Sequence, residues 1–467
     1  MAKRSKDLKQ SQVTVPFGAT PATDPPNIDQ WASSMVWTES MLKTLMENKV
    51  RGGKWHTLYD KVFSERNLKW AASKVIDNKG VAGVDRQTVG QFSYEFLDEI
   101  TKLQQELKAE SYRPKPVRRV EIPKPGTKET RPLGIPSVRD RVVQKALLDV
   151  LEPIFDHTFH PRSFGFRHGR GCHGALRCVE QLLEAGNYFV VDADLKGYFD
   201  TIPKDRLLEL VKQKVSDRAV LRLIKLYLDQ EVMSELSRWT PETGVPQGAV
   251  LSPMLSNLYL NPLDHHMAQK GYEMIRYADD FVILCKTQTE AEQALEVIKQ
   301  WVTEAGLTLH PDKTQIVDSR EKSFAFLGYT FRGKFRFPRA KSHQKFMDRV
   351  RELTPRTSGD SMTKIVESLN KMLRGWFNYF RHCFWNLFGD YDGTIRRRLR
   401  DILFKRHRKN RKRLSRKHRW PNAYFSEIGL YSLVQVHARF LQATNYQVES
   451  RMRENRPYGS AGGGVSI

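Results

Sequence analysis

Two short apolar runs enclose a pair of adjacent acids in the second half of the chain. Met274-Ile275 precedes Asp279 and Asp280, and Phe281-Val282-Ile283-Leu284 follows them. Apolar runs of this length predict β-strands, so we expect the acids in the tight turn of a hairpin. Buried carboxylates are costly unless their charge is compensated, which favours a bound cation. The alternative is a surface hairpin whose acids are solvated.

A second strand-like run also ends in acids. It covers residues 188–195, contains Asp192 and Asp194, and is followed by Asp200. One acid from this strand and one from the hairpin would hold two Mg²⁺ ions about 4 Å apart, an arrangement that stabilises the attacking and the leaving oxygen of phosphoryl transfer. Mg²⁺ prefers a few carboxylates plus substrate phosphates to an all-protein site. Together the two runs predict the chemistry of a nucleic-acid polymerase.

The remaining hydrophobic pattern predicts an α+β fold. Alternation at period two predicts a strand at 117–122 and a return strand at 131–135. Thr289 and Glu292 predict a capping box at the start of a helix that Gly306 ends. Helical spacing of apolar residues predicts further helices at 58–76, 138–155, 204–215, 218–228, 251–263 and 362–380.

Charge and composition add a partner class. The 467 residues include 77 Lys and Arg against 53 Asp and Glu, a net charge of +24. This excess predicts a polyanionic partner, and even a merely basic surface of this kind would bind nucleic acid. No run approaches the ~20 apolar residues of a membrane span, and no apolar segment follows the N-terminus as in a secretory signal. Four scattered cysteines predict reduced thiols rather than a zinc or disulfide framework.

Three motifs carry a family resemblance. Asp194-Leu-Lys-Gly-Tyr-Phe-Asp resembles motif A of reverse transcriptases, Gly244-Val-Pro-Gln-Gly resembles motif B, and Tyr277-Ala-Asp-Asp resembles motif C. Their order and spacing agree with that family. The chain is most similar to the reverse transcriptase/maturase proteins of group II introns, over roughly residues 56–440. Leu373-Arg-Gly-Trp-Phe-Asn-Tyr-Phe resembles their maturase-specific region.

The resemblance implies a right-hand polymerase with a basic helical C-terminus. Its expected parts are an N-terminal extension (1–55), fingers (56–186), a palm with an antiparallel sheet (187–345), a helical thumb or maturase domain (346–400) and a nucleic-acid-binding segment (401–467). The chain has neither the paired cysteines nor the room for the HNH endonuclease of many relatives. We therefore expect that it does not make its own second-strand nick.

The resemblance also implies roles at the polymerase site. Asp194, Asp279 and Asp280 would be catalytic and would bind two Mg²⁺ ions, with Mn²⁺ as an alternative ion, and the Leu195 carbonyl would assist. The residues expected to contact the nucleotide are Lys124, Arg131, Phe199, Gln247 and Lys313. Alternatives remain for several of these: Lys124 and Arg131 as generic backbone contacts, Phe199 as core, and Lys313 as either a general acid or a solvated lysine.

Further residues are expected to contact nucleic acid. In the fingers and palm they are Arg167, Arg170 and Tyr277. In the C-terminal part they are Arg374 and three arginines of the basic run 396–419: Arg397, Arg406 and Arg411. A strip of that charge would repel itself without a polyanion.

The predicted function is RNA-directed DNA synthesis, together with binding of a parent group II intron RNA that supports splicing and mobility. Partners would be the intron RNA, an RNA template, a DNA primer or target, and dNTPs. The expected location is the bacterial cytoplasm, in association with the nucleoid. One alternative is a host-recruited enzyme of phage defence or CRISPR spacer acquisition. Another is an RNA-binding splicing cofactor whose polymerase site is idle.

Overall fold

The computed structural model describes residues 36–47, 53–123, 130–234, 237–407 and 419–454, without the side chains of Met46 and 444–454. The chain divides into two compact units, residues 1–316 and residues 317–467. Helices and mostly antiparallel strands alternate along it, which confirms the α+β class. Among the described residues, no helix combines the length and the apolar character needed to cross a membrane.

The first unit begins with helices that pack around one long helix. In chain order its first elements are α1 (Glu39–Met46), α2 (Tyr59–Val62), α3 (Glu65–Asp77), α4 (Val89–Tyr94), α5 (Phe96–Lys108), β1 (Val117–Pro123), β2 (Thr130–Ile135) and α6 (Val138–Asp156). Ser137 caps α6 by accepting a hydrogen bond from the Asp140 amide at 3.0 Å. The apolar positions of α6, apart from the partly buried Leu148, are buried, and the helix contacts α3 and α2, as the helical spacing predicts.

The predicted β-hairpin of the first unit is confirmed. Strands β1 and β2 pair antiparallel with Ile122 opposite Arg131. The next elements are α7 (Cys172–Glu184), β3 (Phe189–Asp194), α8 (Tyr198–Thr201), α9 (Lys204–Lys212), α10 (Arg218–Leu228), β4 (Val232–Met233) and β5 (Arg238–Trp239). Strand β4 joins β1 in parallel, so the small sheet has the order β2-β1-β4-β5.

A second sheet carries the acidic motifs. The remaining elements here are α11 (Ser252–Gln269), β6 (Glu273–Tyr277), β7 (Asp280–Cys285), α12 (Gln288–Glu304) and β8 (Gln315–Asp318), which runs across the unit boundary. The sheet order is β6-β7-β3-β8, and α7, α11 and α12 pack on β6, β7 and β3. The predicted capping box was wrong by two residues, because Thr287 caps α12 through the Glu290 amide at 3.2 Å.

The second unit joins a three-stranded sheet to helices. Its elements are β9 (Phe324–Phe326), β10 (Tyr329–Arg332), β11 (Phe335–Pro338), α13 (Ala340–Leu353), α14 (Met362–Phe380), α15 (Asn386–Arg406), α16 (Asn422–Glu427) and α17 (Leu433–Glu454). Aromatic rings fill its interior: Trp376 lies 4.6 Å from Phe346 and 5.1 Å from Tyr391, measured between ring centroids. Asp392 of α15 accepts hydrogen bonds from Ser432 and the Leu433 amide at the start of α17.

Candidate active site

The three motif acids meet at one end of the second sheet. Asp194 is the last residue of β3, and its direct partner across the antiparallel ladder is Asp280, the first residue of β7. Directly opposite residues of such a ladder point to the same face of the sheet. Tyr277 pairs with Asp280, so Ala278 and Asp279 form a two-residue turn. The hairpin is therefore as predicted, except that Asp280 lies in the strand and only Asp279 in the turn.

The turn that carries Asp279 has an unusual backbone. Ala278 has a φ of +61°, a conformation favoured by glycine in the first position of a tight hairpin turn. Gly165 packs directly under it: a Cβ on Gly165 would lie 2.3 Å from the Ala278 nitrogen. The segment before Gly165 pairs with β6, since the Phe164 amide donates to the Arg276 carbonyl at 2.9 Å. The glycine-rich loop, residues 163–172, thus supports the turn of the hairpin.

A buried arginine holds the same turn. Arg276 is 1% exposed and forms an ion pair with the equally buried Asp264 at 2.5 Å. Its Nη1 donates to the Asn257 amide oxygen at 2.9 Å and to the Ala278 carbonyl at 2.8 Å. Asn257 in turn donates to the Gly165 carbonyl at 2.7 Å. One network therefore fixes the hairpin turn and the glycine that packs under it.

The electrostatics of the acids favour a cation. Burial raises the pKa of Asp279, and the neighbouring charge of Asp194 raises it further, whereas Arg131 and Arg276 lower it. A carboxylate beside a like charge is costly to ionise unless a cation joins the site. In this structure the Lys313 ammonium supplies a positive charge beside Asp194, with Nζ 2.6 Å from Asp194 Oδ2. Lys313 is 60% exposed, so a competing ion could displace it.

The available donors suit a hard divalent ion. Asp194, Asp279 and Asp280 offer carboxylate oxygens, and Leu195 follows Asp194 with its backbone carbonyl. Across the described residues, no three His, Cys, Asp or Glu side chains converge closely enough to enclose a metal by themselves. A site with few protein carboxylates suits a hard divalent ion that takes its remaining ligands from water and substrate.

The hairpin strand β2 contacts the motif B loop. Arg131 Nε donates to the Gln247 amide oxygen at 2.9 Å, and the Gly134 amide donates to the Gln247 carbonyl at 2.6 Å. Gly248 has a φ of +101°, and a Cβ there would lie 2.5 Å from the Gly134 carbonyl. The structure thus brings together two residues that the sequence predicts to contact the nucleotide. Lys124 lies outside the described residues.

Phe199 follows Asp194 by five residues and is buried. Its side chain is 6% exposed, and its ring meets Tyr198 edge-on at a centroid distance of 5.6 Å. Its carbonyl accepts a hydrogen bond from the Val245 amide at 2.7 Å, which ties motif A to the motif B loop. The packing agrees with the core alternative, and the sugar-gating role stays a prediction.

Among the predicted nucleic-acid contacts, Arg167 has an internal role. It is 7% exposed, and Nε donates to Asp156 at 2.6 Å while Nη1 donates to the carbonyls of His160 and Ser163. Its guanidinium therefore fixes the glycine-rich loop, in place of the phosphate contact expected from the sequence. Arg170 lies 5.9 Å from the Phe164 ring, and burial raises the pKa of half-buried Tyr277.

In the second unit the predicted arginines lie at the surface. Arg374 is exposed on α14 and lies 5.7 Å from the Tyr431 ring. Arg397 and Arg406 are exposed on α15, where Arg406 also donates to the Ser358 carbonyl at 3.0 Å. Arg411 lies outside the described residues.

Comparison with known proteins identifies the family. The model described as "Reverse transcriptase (RNA-dependent DNA polymerase)" matches residues 122–331, and the one described as "Group II intron, maturase-specific domain" matches residues 343–420. Protein YkfC of Escherichia coli is 34% identical over 304 residues, which covers 56% of this chain and 79% of the relative. The chain belongs to the group II intron-encoded reverse transcriptase/maturase family. The resemblance seen in the motifs is thereby confirmed.

Other family members differ in length. Group II intron-encoded protein LtrA of Lactococcus lactis is 37% identical over 201 residues, which covers 43% of this chain and 33% of LtrA. The chain thus spans most of YkfC but about a third of LtrA. Among solved structures, a chain of a partial Cas6-RT-Cas1–Cas2 complex is 25% identical with a TM-score of 0.35, covering 53% of this chain and 42% of its own. A TM-score this low indicates no functional similarity by itself.

Sequence patterns did not reveal Arg276 and Asp264, the buried pair that supports the turn of the acidic hairpin. Arg276 appears in the sequence as one cation before the motif C tyrosine, and Asp264 as one acid in an apolar helix. Asp264 lies on α11 and Arg276 on β6, so no pattern within one element could pair them. A signal existed only for Asp264, because an acid inside an apolar helix needs a buried partner.

Proposed function

We propose that the chain is an RNA-directed DNA polymerase that extends a primer on an RNA template with dNTPs. The observation that carries the proposal is the position of Asp194 directly opposite Asp280, with Asp279 in the adjoining turn. The raised pKa of Asp279 beside Asp194 indicates a site suited to cations. The family membership supports the same class of reaction.

Asp194, Asp279 and Asp280 would hold two Mg²⁺ ions, with the Leu195 carbonyl as a further ligand and Mn²⁺ as a substitute ion. When bound, such a pair of ions lowers the pKa of the attacking hydroxyl and neutralises charge on the leaving oxygen.

The chain's own residues would serve the rest of the step. The primer 3′-oxygen loses its proton to a solvent water molecule and forms a bond to the α-phosphorus, while the bond from the α-phosphorus to the bridging oxygen breaks and pyrophosphate leaves. Lys313, already beside Asp194, would give a proton to the pyrophosphate. Arg131 and Lys124 would bind the triphosphate, Gln247 the base-paired nucleotide, and Phe199 would exclude a 2′-hydroxyl.

The second unit would bind intron RNA. The maturase-specific match covers residues 343–420, and Arg374, Arg397 and Arg406 are exposed within it. Together with Arg411, and with Arg170 and Tyr277 in the first unit, they would contact phosphates or the nucleic-acid strands. Phosphate contacts of this kind release counterions, so intron RNA binding should weaken steeply with salt.

We divide the chain into an extension (1–55), fingers (56–186), a palm (187–345), a thumb or maturase domain (346–400) and a basic segment (401–467). We propose that it acts in the bacterial cytoplasm, at the nucleoid.

The test is primer extension on an RNA template with Mg²⁺ and either dNTPs or rNTPs. Wild type should extend with dNTPs, and Asp279→Asn should lose extension by at least about 10³-fold because a metal ligand is removed. Asp98→Asn, an exposed acid on α5, is the matched control and should extend like wild type. Extension by Asp279→Asn at the wild-type rate would contradict the proposed site.

The splicing-cofactor alternative makes a different prediction for the same proteins. Wild type that binds intron RNA and promotes its splicing but never extends a primer would favour it. Recruitment to phage defence or spacer acquisition would leave extension intact, and intron RNA binding would then be no tighter than binding to unrelated RNA of equal length.

A further inference from the structure

A cavity of about 370 Å³ lies beside the proposed nucleotide site. Its walls come from the hairpin strands β1 and β2, the short β4–β5 ribbon, and residues 241–247 that lead into motif B. All of these elements belong to the first unit. The cavity volume exceeds that of one nucleobase, and Gln247 is the residue with a role assigned above that lines it.

Gln230 gives this cavity a polar group without a partner. The residue lines the cavity, although its side chain is only 4% exposed. Its Nε2 donates to the Lys115 carbonyl at 2.5 Å, whereas its Oε1 has no hydrogen-bond partner among the residues that the structure describes. A buried acceptor left unpaired destabilises the protein, because the oxygen has lost water and gained no partner. This oxygen is buried behind the cavity wall, so a ligand with an N–H or O–H donor would reach it when the side chain turns toward the cavity.

The other walls suit a flat ring. Trp239 presents an indole, with the Arg119 guanidinium 5.7 Å from its ring centroid. Val117, Leu228 and Val232 add apolar surface. An aromatic face, an apolar wall and one amide acceptor form the combination with which proteins hold an unstacked nucleobase and read its edge.

The position of the cavity points to the strand that supplies the base. Gln247 and Gly134 line it, and Gln247 also accepts the hydrogen bond of Arg131. The cavity and the proposed nucleotide site therefore share the motif B loop as a common wall. In a polymerase the unpaired strand next to the nucleotide site is the template that has not yet been copied.

We propose that this cavity receives one unpaired base of the RNA template ahead of the templating position. The base ring lies against Trp239, and an exocyclic amino group donates to Gln230 Oε1. The inference rests on the proposed polymerase function, because only a template-directed enzyme carries such an overhang. It adds a template-binding site next to the catalytic site.

The test measures binding and needs no catalysis, so it can succeed or fail separately from primer extension. Duplexes with an RNA overhang carry 2-aminopurine, a fluorescent base with an exocyclic amino group, at one of the first four overhang positions. Wild type should quench the fluorescence strongly at one position. Trp239→Leu should abolish that quenching, while Gln213→Leu, a substitution at an exposed glutamine outside the cavity, should keep it.

Affinity gives the second measurement. Gln230→Met keeps the length of the side chain but lacks the acceptor, so it should raise the Kd for duplexes with a long overhang about 5- to 10-fold. The Kd for a duplex that ends at the templating base should change less than 2-fold. Thermal unfolding of both variants checks that they are folded. If Trp239→Leu does not fold, Gln230→Met still tests the site.

Three results would overturn the inference. Equal quenching at all overhang positions would mean that no base enters the cavity. Equal losses of affinity for both duplexes would mean that Gln230 acts through the general fold. Quenching that appears only with an added fluorescent dNTP analogue would assign the cavity to the incoming nucleotide instead of the template.

Discussion

Arg276 donates a hydrogen bond to the carbonyl oxygen of Ala278, at 2.8 Å, and thereby holds the turn that presents Asp279. The bond spans only two residues, but the guanidinium that makes it is anchored by Asp264, twelve residues earlier on α11. An unpaired backbone carbonyl would allow this tight turn to relax, since Ala278 adopts a positive φ. The charge pair inside the protein therefore serves the geometry of the acids at its surface.

Arg276→Met should destabilise the protein by roughly 3–5 kcal/mol. The substitution leaves Asp264 buried, charged and without its partner, and that uncompensated charge is the main cost. The free energy of unfolding from urea titration measures the effect. The double variant Arg276→Met, Asp264→Leu removes both charges and should recover a large part of the loss, while extension should stay impaired because the Ala278 carbonyl is still unsupported. A double variant as unstable as the single one would contradict this account.

Gly165→Ala should lower primer extension about 10²-fold in a protein that remains folded. The added methyl would lie 2.3 Å from the Ala278 nitrogen and 2.8 Å from the Tyr277 carbonyl carbon, so the turn must move. Displacements near 1 Å at a reacting centre can cost a factor of this size. Extension rates and thermal unfolding, measured on the same preparation, separate the effect on the turn from unfolding.

Gly393→Ala is the control for that substitution. Gly393 lies inside α15 with no atom within 4 Å of an added Cβ. Alanine there should raise stability by about 0.5–1 kcal/mol and leave extension unchanged. If Gly165→Ala extends as fast as Gly393→Ala, the hairpin turn tolerates the methyl and the packing argument is wrong.

Local patterns in the sequence predicted the strands and helices of the site well, but they predicted the contacts that hold these elements together poorly. The strands of both acidic motifs follow from runs of apolar residues, and helix α6 follows from its spacing, because each signal lies within one element. The contacts Arg131–Gln247 and Arg276–Asp264 join residues on different elements. No periodicity records such pairs, since they depend on how the elements pack.

Boundaries show the same limit on a smaller scale. Thr287 and Thr289 are both suitable N-caps, and Glu290 and Glu292 are both suitable partners, so the sequence offers two registers for the start of α12. The structure uses the earlier one, in which Glu290 also accepts a hydrogen bond from the Lys286 amide at 2.9 Å. The choice depends on where β7 ends at Cys285, which the threonines themselves do not encode.

Glu152→Gln should change stability in a pH-dependent way. Burial raises the pKa of Glu152 to about 7, and nearby Asp156 and Asp149 add to the effect while Lys145 opposes it. The folded protein therefore holds a proton that the unfolded chain releases near pH 4.5, so this group's contribution to stability falls as pH rises from about 4.5 to 7. Glutamine does not titrate. The free energy of unfolding of the variant, relative to wild type, should rise between pH 5 and pH 8 by an amount on the order of 1 kcal/mol. A pH-independent difference would show that Glu152 is ionised in the folded state.

Lys313→Met separates the two roles open to that lysine. In the present structure its ammonium lies 2.6 Å from Asp194 Oδ2, where it competes with a cation for the same oxygen. Removing it should therefore lower the Mg²⁺ concentration needed for half-maximal extension. If Lys313 also gives a proton to pyrophosphate, the rate at saturating Mg²⁺ should fall by about 10²-fold or more, the usual contribution of a general acid. Lys299→Met, an exposed lysine on α12, should change neither quantity. A lower Mg²⁺ requirement with an unchanged maximal rate would mean that Lys313 is a counter-ion of Asp194 and takes no part in the chemical step. An unchanged Mg²⁺ requirement would mean that the ion pair does not compete with the metal.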